Sequence, residues 1–256
     1  MPKSLLSALH LNFPDLTARP LEPVTVAVID SGIDATHPAL AGKVLEAYAV
    51  EKQGEEFKVI PGRVPVNADL YGHGTAVASI ICGLAPNARL VDIRVLDTHN
   101  VGSGEALLAG FSYAVTQKIR ILNMSLAAQA TFAPRLHPLC ETAYRQNQLV
   151  IAARRNLPLM DNGFPAEFSS SLGVDLGKFL SQFHLKFRPD HAIEFIAHGE
   201  EVTVAAAGGG YTTMTGTSFA TPAISGICAL LAGAFPDLRI FEVKSILRWF
   251  AEETES

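Results

Sequence analysis

The chain has 256 residues, of which 48% are hydrophobic and 18% are charged, and its formal net charge is −5. This length and apolar content fit one large domain with a buried core. The small negative charge gives no electrostatic reason to expect nucleic acid as a partner, and no apolar run is long enough to predict a membrane-spanning helix.

In the first two thirds of the chain, apolar runs bounded by turn residues alternate with helical patterns. The apolar runs predict buried parallel strands at residues 24–29, 90–95, 120–123 and 149–153. The patterns between them predict helices at residues 73–83, 104–117 and 137–146. Repeated strand–helix units predict an α/β fold, a single three-layer domain with a mainly parallel central sheet and helices on both faces. We expect the functional site beyond the carboxyl ends of the strands.

The last third of the chain has a different pattern. Residues 192–204 predict strands near a sheet edge, followed by a hairpin through the glycines at 208–210. A long apolar helix is predicted at 218–235 and an amphipathic helix at 240–250, where we expect Trp249 to pack or lie on the surface. We assign residues 1–23 to an N-terminal extension and residues 24–256 to one domain.

The three cysteines lack the spacing of metal ligands. Cys82 and Cys228 lie in apolar helical patterns, and with Cys140 they form an odd set. We therefore expect Cys82 and Cys228 to be buried thiols rather than members of disulfide bridges, and we expect no cofactor.

Three short segments each present one residue of a nucleophilic triad. Asp30 ends an apolar strand, His73 lies between two glycines at the start of an apolar helix, and Ser218 opens a second apolar helix. A serine hydroxyl needs a base to attack at neutral pH, and histidine can take that proton and return it to a leaving amine. An aspartate would fix the ring's tautomer and stabilise its charged form. A serine at a helix N-terminus would also direct its own N–H towards a developing oxyanion.

The segments VAVIDSG, YGHGT and GTSFATP, in that order, resemble those of the subtilisin-like serine proteases. The resemblance extends from about residue 24 to the last helix. It implies a serine endopeptidase that hydrolyses peptide bonds through an acyl-enzyme, with a peptide or protein as its substrate. We predict a processing protease that acts on a specific peptide or protein.

The resemblance also implies a second oxyanion donor, a side-chain amide that follows a strand. Asn156 is the candidate, with Asn162 nearby as a rival. Arg154 and Arg155 stand where the family has small residues. Either both guanidinium groups point to solvent, or one reaches the substrate cleft, where it would favour acidic or small side chains before the cleaved bond.

Other segments resemble the walls of the family's substrate cleft. An extended peptide would lie between two rims as an added strand, using main-chain hydrogen bonds. The residues that we assign to the rims are Gly102, Ser103 and Gly104 on one side and Ser125, Leu126 and Ala127 on the other. Those that we assign to the primary specificity pocket are Ala153, Arg154 and Pro165.

Two features shared by secreted family members are not seen in this sequence. The helix after His73 has no interrupting calcium loop, and Ala39 stands where an acid often follows His-Pro. Calcium prefers hard oxygen ligands, so we predict that this calcium site is absent and that chelation causes no large drop in the melting temperature, a weaker site elsewhere being left open. The first residues show no secretory apolar region and are too few for a compact prodomain. Either the protein is intracellular or the sequence is a piece of a longer one, and we favour a cytoplasmic protein that folds without a separate prodomain.

Two other classes of function compete with a protease. A pseudoenzyme would bind peptides without cutting them if the arginines disturbed the oxyanion hole, although the complete triad argues against this class. An esterase or peptide ligase would use the same acyl-enzyme with a different acceptor, and the sequence does not separate it from a hydrolase. A fluorophosphonate distinguishes an enzyme from a pseudoenzyme, because only an activated serine reacts.

Overall fold

A ten-stranded sheet forms the centre of the computed structural model, which describes residues 21–156 and 162–253. The strands in chain order are β1 (Val24–Asp30), β2 (Val44–Gln53), β3 (Glu56–Pro61), β4 (Ala88–Arg94), β5 (Ile121–Met124), β6 (Leu149–Ala153), β7 (Ser171–Gly177), β8 (Leu185–Phe187), β9 (Phe195–His198), β10 (Val202–Ala205), β11 (Tyr211–Met214) and β12 (Glu252–Glu253). The spatial order of the large sheet is β12-β8-β9-β7-β6-β5-β1-β4-β2-β3, and β10 and β11 form a separate antiparallel pair.

The large sheet is mainly parallel. Only the β2–β3 and β8–β9 pairs of its described neighbours are antiparallel. Each of the four strands predicted in the first two thirds of the chain has a counterpart here, namely β1, β4, β5 and β6. The predicted parallel α/β architecture is therefore confirmed.

Helices cover both faces of the sheet. They are α1 (His73–Leu84), α2 (Gly104–Thr116), α3 (Ala133–Arg145), α4 (Thr217–Ala234) and α5 (Ile240–Phe250). Alternate residues of a strand point to opposite faces. Accordingly, Val26 and Val28 of β1 join the core formed with α1, α4 and α5, whereas Ala27 and Ile29 join the core formed with α2 and α3. The three layers agree with the prediction.

Five strands of the large sheet were not predicted, namely β2, β3, β7 and the short β8 and β12 at one edge. The β2–β3 hairpin was not predicted, because its partly exposed strands mix charged and apolar residues. Strand β7 was also missed, because Gly173 and Asp175 interrupt its apolar run. These additions widen the sheet around the predicted strands without changing the position of its carboxyl edge.

Two elements near predicted positions have shifted bounds. Helix α3 begins at Ala133, earlier than predicted, because Pro134 is tolerated in a first turn, where its missing N–H is not needed. The predicted 192–204 segment divides into β9, which pairs with β7, and β10, which leaves the sheet. The predicted hairpin through the glycines at 208–210 connects β10 to β11 and is confirmed.

Helix α4 crosses the centre of the molecule. Contrary to the sequence analysis, it is long and apolar enough to span a membrane, but 83% of that window is buried inside the fold, as in the core helix of a globular protein. Cys82 and Cys228 are buried free thiols, as predicted, and so is Cys140. Trp249 is 56% exposed, in agreement with its predicted surface or packing role.

Candidate active site

The first two triad candidates meet at the carboxyl edge of the sheet. Asp30 is the last residue of β1, which lies between β4 and β5, and His73 is the first residue of α1. Nδ1 of His73 is 2.7 Å from Oδ1 of Asp30, and both side chains are buried. The aspartate therefore holds one ring nitrogen and leaves Nε2 as the nitrogen that can act as a base.

Glycines permit the close approach of α1 to the end of β1. A Cβ added at Gly74 would lie 2.1 Å from the carbonyl oxygen of Gly32 and 3.2 Å from Cβ of Asp30. Gly72, immediately before the helix, has a φ of 104°, a left-handed conformation that disfavours residues with a side chain. The glycines on either side of His73 are thus required by packing and by backbone geometry.

Asp69, which sequence analysis missed, fixes the start of α1. Its carboxylate accepts hydrogen bonds from the hydroxyl of Ser31 (2.8 Å) and from the backbone N–H groups of Gly72 (2.7 Å) and Thr75 (2.9 Å). A negative charge at a helix N-terminus is also favourable towards the helix dipole. The signal in the sequence is weak, because a capping side chain ordinarily stands immediately before a helix, where this chain has Gly72.

The electrostatics around His73 favour its charged form. Burial of the ring lowers its pKa, but the charge and hydrogen bond of Asp30 and the charge of Asp69 outweigh this effect, so the pKa of His73 is raised above its ordinary value. The site is therefore suited to stabilising the imidazolium that forms when the ring accepts a proton.

Ser218 lies in the first turn of α4 and faces the same cleft as His73. Both residues line a cavity of about 440 Å³. The Ser218 hydroxyl donates a hydrogen bond to the carbonyl oxygen of Ser125 (2.9 Å). The hydrogen bonds found among the described residues do not include one between Ser218 Oγ and His73, so a rotation of the serine side chain would have to precede proton transfer.

A buried chain of hydrogen bonds ties α4 to β5 beneath the serine. The hydroxyl of Ser225 in α4 donates to Oδ1 of Asn123 (2.8 Å), and Nδ2 of Asn123 donates to the hydroxyl of Ser125 (3.0 Å). These three residues are buried. These hydrogen bonds fix the position of Ser125 relative to the strand ends. They also fix Ser218, because its hydroxyl bonds to the Ser125 carbonyl.

The two predicted rims of the cleft face each other across this cavity. Its lining includes Gly102, Ser103 and Gly104 on one side and Ser125, Leu126 and Ala127 on the other. The hydroxyl of Ser103 also accepts a hydrogen bond from the N–H of Ala106 (3.1 Å), which caps α2 and fixes that rim. The arrangement leaves room for an extended peptide beside His73 and Ser218.

Asn156 lies against the start of α4. Its Oδ1 accepts hydrogen bonds from the backbone N–H (3.1 Å) and the hydroxyl (3.0 Å) of Thr217, the residue before Ser218. An amide held through its oxygen presents its NH2 group as a donor. The rival Asn162 is engaged elsewhere, because its Oδ1 accepts from Nε of Arg154 (3.3 Å) and its backbone N–H donates to Glu167 (2.6 Å).

The two arginines point to different partners. Nη1 of Arg154 donates to both carboxylate oxygens of Asp175 (3.3 and 3.0 Å), which also binds Arg188. Nη2 of Arg155 donates to the carbonyl oxygen of Ala128 (2.9 Å), next to Ala127 on the cleft rim. Arg155 therefore bonds to the backbone next to the rim, whereas Asp175 draws Arg154 towards β7, and the described residues that line the cavity include neither arginine. The assignment of Arg154 to the specificity pocket stays a prediction.

The other predicted pocket residues lie behind the rim. Ala153 is 2% exposed at the end of β6. Pro165 follows Phe164, whose backbone N–H and carbonyl pair with Ala128 (3.1 and 2.8 Å). The residues that line the cavity in the described part of the chain do not include Ala153, Arg154 or Pro165. Their contribution to a pocket remains a prediction.

The calcium prediction concerns α1 and its surroundings. Helix α1 runs without interruption from His73 to Leu84, as the sequence indicates. Across residues 21–156 and 162–253, no group of three or more histidine, cysteine, aspartate or glutamate side chains is placed to hold a metal ion. Independence from calcium stays a prediction to be tested by chelation.

Comparison with known proteins identifies the family. The model of the subtilase family matches residues 22–255. The chain belongs to the subtilase family. It is therefore a subtilisin-like serine protease by family, as predicted.

Individual subtilases resemble the chain over most of its length. An intracellular serine protease of Paenibacillus polymyxa is 31% identical, and the match covers 81% of this chain and 66% of that protein. The major intracellular serine protease of Bacillus subtilis is also 31% identical, with 81% and 68% covered. The crystal structure of a cold adapted subtilisin-like serine proteinase shares 25% identity and a TM-score of 0.71, over 89% of this chain and 82% of that one.

Proposed function

We propose that this subtilase is an endopeptidase in which Ser218 is the nucleophile, His73 the general base and acid, and Asp30 the group that orients and stabilises the histidine. The hydrogen bond of 2.7 Å between His73 and Asp30, beside a cleft that also contains Ser218, is the observation that carries the proposal. Cleavage of a diverse peptide library, read by mass spectrometry, tests it.

The first chemical step makes an acyl-enzyme. A substrate bound between the rims takes the place of the Ser218 hydroxyl at the carbonyl oxygen of Ser125. The freed hydroxyl then rotates towards Nε2 of His73. His73 takes the hydroxyl proton as Oγ attacks the scissile carbonyl carbon, and Asp30 stabilises the resulting imidazolium. His73 then gives the proton to the leaving amine as the peptide C–N bond breaks. Water, deprotonated by His73, releases the acyl group and restores the serine.

The oxyanion that forms during attack needs donors at its own position. The N–H of Ser218 lies in the first turn of α4, where the helix dipole favours negative charge. The NH2 group of Asn156 supplies the second donor, because Thr217 holds the amide by its oxygen. Two donors held in place before the reaction stabilise the transition state without reorganisation.

Removal of the side-chain donor tests the role of Asn156. Asn156→Ala is expected to lower kcat about 10²–10³-fold with little change in KM, because the lost hydrogen bond forms only in the transition state. Asn162→Ala is the matched control and is expected to retain kcat within about threefold, as its amide bonds to Arg154 rather than to α4. Equal losses in the two variants would contradict the assignment, and so would a change confined to KM.

Substrate selection is proposed to depend on Arg155. An added Cβ at Gly163 would lie 2.6 Å from Cβ of Ala127 and 3.4 Å from Cβ of Arg155, so these residues pack closely at the rim. The guanidinium is held beside the rim by the carbonyl oxygen of Ala128, from where we propose that it limits the size of the substrate side chain and can donate to a substrate carboxylate. We infer a preference for small or acidic side chains before the cleaved bond.

Library profiles of two arginine variants test this preference. Arg155→Ala should lose the selection for acidic residues and accept larger ones. Arg154→Ala should keep the wild-type profile, because its charge is paired with Asp175 outside the cleft. A wild-type profile dominated by aromatic or basic residues would contradict the proposal, as would an unchanged profile in Arg155→Ala.

The biological setting is proposed from the relatives. The names of the Paenibacillus and Bacillus relatives describe intracellular serine proteases. We infer that this subtilase acts in the cytoplasm as a processing protease on a specific peptide or protein. A narrow library profile supports processing, whereas cleavage of most unfolded proteins at many sites would indicate general degradation.

A further inference from the structure

A third carboxyl group, that of Asp92, is buried beneath the proposed Asp30–His73 pair. Asp92 lies in β4 and is 1% exposed. Its Oδ2 accepts a hydrogen bond from the backbone N–H of Ile33 (3.0 Å), in the turn after β1. Its Oδ1 has no hydrogen-bond partner among the described residues, and neither has Oδ2 of Asp30, which is 0% exposed. Two buried carboxyl oxygens therefore lack donors.

The strand register places these two carboxyl groups on one face of the sheet. Asp92 pairs with Val28 and Arg94 pairs with Asp30 in the parallel β1–β4 ladder. Paired residues point to the same face, and so do residues two apart along a strand. Asp92 and Asp30 consequently share the face covered by α1, two register positions apart on neighbouring strands.

The surrounding charges disfavour a second carboxylate here. Burial raises the pKa of Asp92 well above its ordinary value, the negative charges of Asp69 and Asp30 raise it further, and the N–H of Ile33 and the charge of Arg94 only partly oppose the rise. The charge of Arg94 is also shared with Glu51, because its Nη2 lies 3.9 Å from Oε1 of that residue. Two buried carboxylates side by side are costly, and a single proton between them removes one charge and supplies a donor.

We propose that Asp92 stays protonated during catalysis and that its O–H, carried on Oδ1, donates to Oδ2 of Asp30. Asp92 is a positioning residue in this scheme: it keeps its proton and acts through Asp30. Oδ1 of Asp30 binds Nδ1 of His73 and the N–H of Ser31 (2.7 Å), so the added donor would hold the carboxylate from both sides. This inference rests on the proposed roles of Asp30 and His73.

The hydrogen bond from Asp92 to Asp30 changes the pKa of His73. A donor to Asp30 disperses the negative charge of that carboxylate and makes it a weaker partner for the imidazolium. Asp92 therefore lowers the pKa of His73 relative to a chain without the donor, and it keeps more of the base in its neutral form. An ionised Asp92 would have the opposite effect, because its negative charge would stabilise the imidazolium.

Two variants of Asp92 distinguish these states. Asp92→Ala removes the donor, so the acidic limb of kcat/KM should move to higher pH and kcat should fall about tenfold. Asp92→Asn keeps a neutral N–H donor. In this variant the pH of the acidic limb and the value of kcat should both lie close to those of the wild type. Asp237→Asn, an exposed change near the C-terminal end of α4, is the control for removal of an acid. A shift of the acidic limb to lower pH in Asp92→Ala and Asp92→Asn would overturn the proposal.

Two measurements do not depend on turnover. The pKa of the His73 ring, followed by NMR in a Ser218→Ala background, should rise with Asp92→Ala and change little with Asp92→Asn. Difference infrared spectra at neutral pH should show a protonated carboxyl band that Asp92→Asn removes, even if Asp92→Ala does not fold. Absence of that band would overturn the proposal. A chain that shows these signatures but cleaves no peptide would refute the protease function and leave the Asp92 inference standing.

Discussion

Replacement of Ser218 with alanine is expected to lower kcat for peptide cleavage about 10⁶-fold, the order found when the catalytic serine is removed in subtilisin. The hydroxyl makes one hydrogen bond in the structure, to the Ser125 carbonyl, so its loss should leave the fold and the melting temperature nearly unchanged. Alanine also preserves the start of α4. Steady-state kinetics on a peptide identified from the library measures this effect.

A second serine provides the control for this experiment. Ser245 is exposed on α5, where its hydroxyl bonds to the carbonyl oxygen of Phe241 (2.8 Å). Ser245→Ala should retain wild-type turnover. If Ser218→Ala retained wild-type turnover too, Ser218 would not be the nucleophile. If Ser218→Ala failed to fold, the loss of activity would have no bearing on its chemical role.

Replacement of Asp30 with asparagine is expected to lower kcat about 10⁴-fold, because the amide no longer holds the required tautomer of His73 and no longer stabilises its charged form. The same change should lower the pKa of His73, since the charge and hydrogen bond of Asp30 are what raise it. The acidic limb of kcat/KM should therefore lie above the ordinary histidine range in the wild type and move to lower pH in Asp30→Asn.

Stability should show the matching dependence on pH. A histidine whose pKa is raised by folding favours the folded state below its unfolded pKa of about 6.5, and this contribution is lost as pH rises through the folded pKa. Asp30→Asn removes the charge and the hydrogen bond of Asp30 that raise the pKa of His73. The wild type and Asp30→Asn should therefore differ in their free energy of unfolding. The part of this difference that arises from His73 should be largest at low pH and should become smaller as pH rises. An unaltered His73 titration in Asp30→Asn would contradict the pairing.

The proposed catalytic residues could be predicted from sequence because each stands at an element boundary with characteristic neighbours. Asp30 ends an apolar strand, and Gly72 and Gly74 flank His73 where the backbone requires them. The parallel strand–helix pattern brings such boundaries to one edge of a sheet. The two cleft rims, in contrast, were predicted from the family resemblance of their segments.

Other parts of the site depend on tertiary contacts that local patterns do not encode. Asp69 and Asp92 are acids in a loop and a strand, and their importance comes from partners far along the chain. The different directions of Arg154 and Arg155 depend on Asp175 in a strand that was not predicted. Two directions for the guanidinium groups stay open at the level of the sequence, because the sequence does not show which carboxylate lies next to each arginine.

The most direct test of the account is covalent labelling with a fluorophosphonate, followed by mass spectrometry of the digested protein. We expect a single adduct on Ser218, and we expect labelling to be lost in His73→Ala, since only a serine activated by a base reacts. Absence of an adduct in the folded wild-type protein would indicate a peptide-binding pseudoenzyme. An adduct on another residue, such as Ser103 or Ser125 in the cleft, would contradict the assignment of Ser218 as the nucleophile.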